Sequence, residues 1–352
     1  MARIRIERAP SPVWVRALLP VFAILITFGL VSVLVISAGA SPLSAFYELL
    51  IGPLTRSGAR ADILKLSTPI MLTGIAVTVA FIGGYFNIGA EGQLYAGAIA
   101  SAWIGVQVEG MAPPLAIGLM LAGGFLAGMA WALLPALLKT YLSVDEVVTT
   151  LLLNSVMLFI VSALLNGPWR DPVSGWPQSP TIATAAQFPI LIERSTVHLG
   201  FLVALASAGI MWWVMARTRF GLELRAIGKN REGAQFLGIP VRRRVLAAAL
   251  ISGGIAGLAG VSEVGGVHYY LTSTLSPGFG YTGIIVATLG ALTMPGAVLS
   301  ALFLGLINRG ALTASRELSV PVYLADVIEA TLLLVTLSVL LLNRYRIRLG
   351  RN

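Results

Sequence analysis

The stretch Gly83-Gly84-Tyr85-Phe86-Asn87-Ile88-Gly89-Ala90-Glu91-Gly92-Gln93 sits where one apolar run, 62–82, gives way to another, 88–107. Each run is about as long as the roughly 20 residues that carry an α-helix across a bilayer. The stretch itself is glycine-rich and brings two amides and a carboxylate into an apolar neighbourhood. Unwound backbone at membrane depth is tolerated only where it lines a cavity or is covered by protein. A second stretch of this kind, Pro277-Gly278-Phe279-Gly280-Tyr281-Thr282-Gly283, opens another apolar run further along. Broken helices at matching positions of two halves point to a path through a membrane.

Composition agrees. Of 352 residues, 57% are hydrophobic and 11% charged, where a soluble domain carries about 25% charge. The mean hydropathy is +0.87. An all-α polytopic membrane protein is expected, a single transmembrane domain over 1–352 with no sizeable soluble part. Apolar runs bounded by Gly, Pro or charge predict about ten helices, near 14–36, 62–82, 88–107, 113–138, 146–165, 197–216, 245–264, 281–294, 296–313 and 324–343. Five spans per half is an odd number, so two halves of like fold would lie inverted in the bilayer. The first run is preceded by Arg3, Arg5, Arg8 and Arg16 and followed by Ala38-Gly39-Ala40, but it is longer than the apolar core of a signal peptide and is read as a retained span. The absence of cysteine removes thiolate metal sites, disulfides and cysteine nucleophiles; His198 and His268, far apart in sequence, leave little for a metal, and none is expected.

Lys and Arg number 24 against 15 Asp and Glu, a net +9. Basic residues retained on the cytoplasmic side explain such an excess better than nucleic-acid binding does. With the N-terminus inside, the ten-span topology puts 17 basic residues in the cytoplasm, 5 outside (Arg56, Arg60, Arg170, Arg194 and Arg316) and 2 within helices (Lys65 and Arg309), completing the 24. Both termini and the loop 217–244 are then cytoplasmic, and loop 166–196 is extracytoplasmic.

Asn87, Glu91 and Gln93 need partners or water at membrane depth, because an unpaired polar group there costs several kcal/mol. They read either as a polar patch beside a substrate path or as a helix N-terminus at the interface, with Asn87 capping and Glu91 complementing the dipole. Asn154 lies two turns into the fifth span, on a face similar to that of Asp145 and Glu146, and reads as interhelical glue ahead of a ligand group. Glu263, Asp326 and Glu329 fall near helix ends, where snorkelling or capping accounts for them, with a deeper position left open for Glu329, and His268 beside Tyr269-Tyr270 reads as an aromatic belt. Gly124 with Gly128 and Gly253 with Gly257 are small-xxx-small pairs for close helix packing. In 217–244, a short helix from Arg231 would present Phe236, Leu237 and Ile239 to a cytosolic partner; by pattern alone the favoured reading is a solvated basic loop that only fixes topology. The run from Gly221 to Gly228-Lys229-Asn230 is no phosphate loop: the glycine spacing is wrong and Asn230 stands where Ser or Thr is required.

The residues Phe86-Asn87-Ile88-Gly89 through Glu91-Gly92-Gln93, Asp145-Glu146-Val147, and Gly167-Pro168-Trp169 with Asp171-Pro172 resemble the permease subunits of bacterial ABC importers, in the nucleoside and simple-sugar branch. Leu224-Arg225-Ala226-Ile227-Gly228 with Asn230, Gly238-Ile239, Ser252-Gly253 with Ala256 to Gly260, and Gly280-Tyr281-Thr282-Gly283-Ile284 follow in the same order, so the resemblance covers about 60–310. It implies a permease of the cytoplasmic (inner) membrane that is not itself an enzyme, binds no cofactor directly, and pairs with a second permease, homologous or identical. It also implies a cytosolic ATP-binding subunit that uses the ATP and an extracytoplasmic substrate-binding protein. The coupling segment becomes Arg225 to Ile239, with Arg225, Gly228, Asn230, Ala234, Phe236, Gly238 and Ile239 as the contact set; Gln235 departs from the small residue usual there. The substrate path would draw on Phe86, Asn87, Glu91, Gln93, Asn154, Phe279 and Tyr281: aromatic faces for a base, amides for base or ribose. The expected substrate is a nucleoside, with a simple sugar such as ribose as the alternative. An ion-coupled secondary carrier would need several buried carboxylates near the midplane, where the sequence offers mainly Glu91 and Glu329. An intramembrane enzyme lacks any HExxH pattern or nucleophile-base pair.

Overall fold

The computed structural model describes residues 3–8, 13–56, 58–321 and 323–350, with side-chain surroundings for 18, 20–56, 58–321 and 323–339. Arg351, counted above for orientation, lies outside the described residues. Seven helices are long and apolar enough to cross a membrane: Pro20–Ser37, Ala59–Ile82, Pro113–Leu142, Glu146–Asn166, Leu199–Arg217, Val241–His268 and Met294–Leu318. The chain is a multi-pass membrane protein. The other expected spans are also helical, at Ala90–Gln107, Phe279–Leu289 and Leu324–Arg344. The eighth was expected over 281–294. It is instead an 11-residue helix that ends in a turn, where Ala291 and Leu292 adopt positive φ before the next helix begins at Met294.

Contacts divide the chain into two compact units, 1–55 with 306–352, and 56–305. In the first, α1 (Val13–Ser37) packs on α14 (Leu324–Arg344), and strands β1 (Arg3–Arg8) and β2 (Tyr345–Gly350) pair antiparallel. This ribbon and the short helices α2 (Pro42–Leu50) and α3 (Gly52–Thr55) lie outside the sequence expectation. Asn308 donates to Glu329 at 2.6 Å, and Glu329 is buried, so of the positions left open for it the deeper one holds and it does not snorkel.

The second unit holds α4 (Ala59–Ile82), α5 (Ala90–Gln107), α6 (Pro113–Leu142), α7 (Glu146–Asn166), α8 (Leu199–Arg217), α9 (Arg219–Lys229), α10 (Arg231–Phe236), α11 (Val241–Glu263), α12 (Phe279–Leu289) and the start of α13 (Met294–Leu318). Local chemistry sets their ends. Pro113 and Pro114 open α6, where a missing N–H costs nothing. Asp145 caps α7 by accepting from Val147 N (2.8 Å) and Val148 N (3.2 Å). Thr218 and Asn230 cap α9 and α10 in the same way.

At the centre, α5, α6 and α11 meet through glycine. A Cβ on Gly97 would strike the Gly257 backbone, one on Gly128 the Gly253 carbonyl, one on Gly257 the Gly124 carbonyl and one on Gly260 the Leu94 carbonyl. The expected small-residue pairs thus lie within one three-helix seam. Burial follows: 83% of the apolar window of α4 and 72% of that of α11 are enclosed, against 22% for α7, whose outer face is left for lipid or another chain.

One π turn, Val264–His268, carries α11 beyond its expected end. Glu263 is therefore enclosed at 4% exposure, with its carboxylate 3.7 Å from His268 Nε2, and neither snorkels nor caps. His268 keeps its expected aromatic neighbour, lying edge-on to Tyr270 at 6.1 Å.

Candidate functional site

The two broken stretches converge. The first leaves α4 through Gly83 and Gly84, the latter at φ +71°, and re-forms a helix at Ala90. The second turns through Gly278, at φ +107°, into α12. Side chains with a Cβ resist both conformations. Gly280 is pressed against Ala90 and Glu91 so closely that a Cβ there would lie 2.5 Å from Glu91 Cα. Two helix N-termini thus abut, and each needs acceptors for its free N–H groups.

Glu91 supplies one of them. Its carboxylate accepts from Gly280 N at 2.7 Å and from the Ser276 hydroxyl, while Ser276 Oγ accepts from Gly278 N (3.1 Å) and Phe279 N (2.9 Å). Thr73 Oγ1 donates to the Phe279 carbonyl at 2.8 Å, which fixes α12 to the middle of α4. Glu91 therefore serves the N-terminus of another helix from a buried position, rather than its own from an interface.

The amides form a second group. Asn87 Nδ2 donates to Gln93 Oε1 (2.8 Å) and Ser252 Oγ (2.9 Å); Asn87 Oδ1 accepts from Gln93 Nε2 (3.1 Å) and Gly89 N (3.0 Å). Asn154 Oδ1 accepts from Gly92 N (2.9 Å), and its Nδ2 donates to the Ile88 carbonyl (2.9 Å) and the Tyr281 hydroxyl (3.2 Å). Thr150 Oγ1 accepts from Ile88 N at 3.3 Å. At the base, Glu146 pairs with Lys139 Nζ at 2.5 Å and accepts from Phe86 N at 3.4 Å. These bonds satisfy the unwound backbone that apolar surroundings would otherwise penalise.

The seven expected path residues are therefore brought together but stand differently. Asn87, Glu91, Gln93 and Asn154 are buried and bonded to one another or to backbone, and Phe279 is 8% exposed. Phe86 and Tyr281 remain open at 49% and 39%. Phe86 stacks edge-on to Phe81 at 5.1 Å. Trp131 was missed: its indole Nε1, buried and without a partner, lies beside Gly92 and Asn154. It stands in an unbroken apolar run, so no neighbouring polar residue marked it. Tyr85 was missed for the opposite reason, being overshadowed by the polar cluster that follows it.

The expected coupling residues lie on α9, α10 and the turn that follows. Phe236 and Leu237 project at 92% and 76% exposure, with Leu222 of α9 at 63%. Ile239, expected to project with them, packs partly buried against the core that holds Ala234. Asn230 caps α10 through Gly233 N at 2.9 Å, Gly238 takes φ +79°, and Arg225 bonds the Met215 carbonyl. Arg244 pairs with Glu223 and lies over Phe220. The result is a braced platform carrying an exposed apolar knob.

On the other side, loop 167–198 is tied down at Ser179 N to the Leu271 carbonyl (2.9 Å), Ile182 N to the Tyr269 carbonyl (2.9 Å) and Ala183 N to the Gly105 carbonyl (2.8 Å). The Ser174 hydroxyl, with the N–H groups of Val173 and Ser174, holds the Asp171 carboxyl below the usual carboxylate range. That turn presents Val173 and Trp176, exposed at 93% and 70%. Among the described residues, no three His, Cys, Asp or Glu side chains gather into a metal site.

Residues 59–337 match the family described as branched-chain amino acid transport system / permease component. The chain is 33% identical to the guanosine ABC transporter permease protein NupP of Bacillus subtilis, over 91% of this chain and 93% of the relative. It is 31% identical to the glucose ABC transporter permease protein TsgB13 of Haloferax volcanii, over 97% and 92%. It is 27% identical to the nucleoside ABC transporter permease protein NupB of Lactococcus lactis subsp. cremoris, over 90% of each chain.

Proposed function

The chain belongs to the branched-chain amino acid transport permease family, and on that premise we propose that it is the membrane permease of an ATP-driven importer of nucleosides. The observation that carries the substrate class is the near full-length likeness to the guanosine permease, joined to two half-exposed aromatic rings at the meeting point of the broken helices. Phe86 and Tyr281 offer π faces to a base. Asn154 Nδ2 holds the Tyr281 hydroxyl and Phe81 packs on the Phe86 ring, and amides freed as the helices shift would bond base or ribose. The glucose permease relative supports the second reading, a simple sugar.

Ten spans, inverted halves and cytoplasmic termini complete the proposal, with loop 166–196 facing outward. The knob of Phe236 and Leu237 docks on a separate ATP-hydrolysing subunit. The outer loop receives a substrate-binding protein, and a second permease, identical or homologous, closes the path. ATP-driven closure moves the coupling segment and opens the path inward, because the ATPase favours one of two states. The test is ATP-dependent uptake of labelled nucleosides in cells with and without this chain, with sugars and amino acids as competitors. Loss of nucleoside uptake is expected; loss of sugar uptake alone would overturn the substrate class. Asn87→Ala with Gln93→Ala should lower uptake or alter preference, and unchanged uptake would remove the path assignment.

A further inference from the structure

We propose that the turn Gly83–Tyr85 is the strut through which α9 and α10 drive the broken start of α5, with Tyr85 as its positioning residue; this rests on the permease reading above. The joint has little to yield. A Cβ on Gly228 of α9 would overlap the Ile82 carbonyl, one on Gly84 would lie 3.8 Å from Gly228 Cα, and one on Gly83 would lie 2.5 Å from Leu224 Cδ1. Helix and turn meet through backbone and one buried leucine, so few side chains can absorb a displacement, and a close-packed contact transmits strain.

Tyr85, 1% exposed, seats the turn in a core built from Ile227 of α9, Ala234 of α10, Val241 of α11 and Ala136 of α6. Its hydroxyl is buried without a partner, so the ring rather than the hydroxyl does the seating. Asn87 N then donates to the Tyr85 carbonyl at 3.1 Å, and Asn87 carries the link to Gln93 and Ser252. The strut therefore reaches from the platform beneath the exposed knob to the point where α5 and α12 meet.

The test is the number of nucleosides imported per ATP hydrolysed, measured in proteoliposomes holding the complete permease–ATPase complex and its binding protein. Tyr85→Ala and Gly228→Ala should lower that ratio at least fivefold while ATP hydrolysis continues, and Tyr85→Phe should stay within twofold of the parent. A parental ratio in both alanine variants would overturn the proposal. A second measurement covers failure of those variants to assemble. The chain lacks cysteine, and Gly83→Cys with Leu224→Cys lies within reach of disulfide geometry. If turn and helix move as one body, the oxidised pair imports within twofold of its reduced form; import lost on oxidation and regained with reductant would overturn the proposal. A parental complex without ATP-dependent nucleoside uptake would instead sink the permease reading.

Discussion

The two broken segments look alike in sequence and are held in different ways. The first is tied over 87–92 by amide side chains: Asn87 and Gln93 bond each other, and Asn154 reaches in from α7. The second, 276–283, is tied by one carboxylate, one serine and a glycine pressed onto backbone. Side chains can shift by a few tenths of an ångström, whereas backbone against backbone cannot without moving a helix. The first segment is thus adjustable over 87–89, beyond its close-packed turn at 83–85, and the second sets the spacing.

The sharpest way to break that contrast is to add a methyl group to each. Gly280→Ala places its Cβ against Ala90 and Glu91 backbone and should cost about 3 kcal/mol or more, at the top of the range for overpacking. Gly89→Ala meets Thr150, Asn87 and Gln93 side chains at 3.0 to 3.3 Å and should cost less, about 1 kcal/mol. Thermal unfolding of the detergent-purified variants measures both, and equal losses would erase the distinction.

Removing polar partners comes next. Glu91→Ala leaves Gly280 N–H buried without its acceptor and should cost about 1–3 kcal/mol, while Glu91→Gln keeps an acceptor oxygen and should recover part of it. Ser252→Ala should cost only about 0.5–1.5 kcal/mol, because Asn87 Nδ2 keeps Gln93. Unfolding midpoints that reverse this order would place the anchor in the first segment instead.

The smallest effect lies away from both segments. Asp171 has a depressed carboxyl pKa in the folded turn, so its contribution is complete above the ordinary aspartate value of about 3.9 and is lost as pH falls through the lower folded value. Hydrogen exchange of Val173 and Ser174 amides should be insensitive to this group between pH 5 and 8, after correction for the intrinsic rate, and should rise in Asp171→Ala.

Much of this was legible in advance because a bilayer imposes a length on every apolar helix. The short α12 and the ribbon of β1 and β2 escaped that rule, one only 11 residues long and the other built of strands. Asn154 acts as the interhelical glue expected of it, but its partners, Gly92 N and the Ile88 carbonyl, lie more than 60 residues away and were not legible, nor was the mutual bonding of Asn87 and Gln93. Glu263 was misplaced because a π turn after it carries no sequence signature separable from a helix end. Tyr85 and Trp131 act through shape and position, which composition does not encode.

The glycine seam of α5, α6 and α11 also bears on how the chain reaches this fold. Lipid is as apolar as a leucine face, so hydrophobicity gives helices little reason to associate within a bilayer, and close contact must supply it. Glycine surrenders no rotamers when it is buried, so this seam forms without the side-chain entropy that a leucine interface gives up. These three helices are therefore the natural first assembly, a nucleus onto which α4, α7 and the short α12 dock once their spans are inserted.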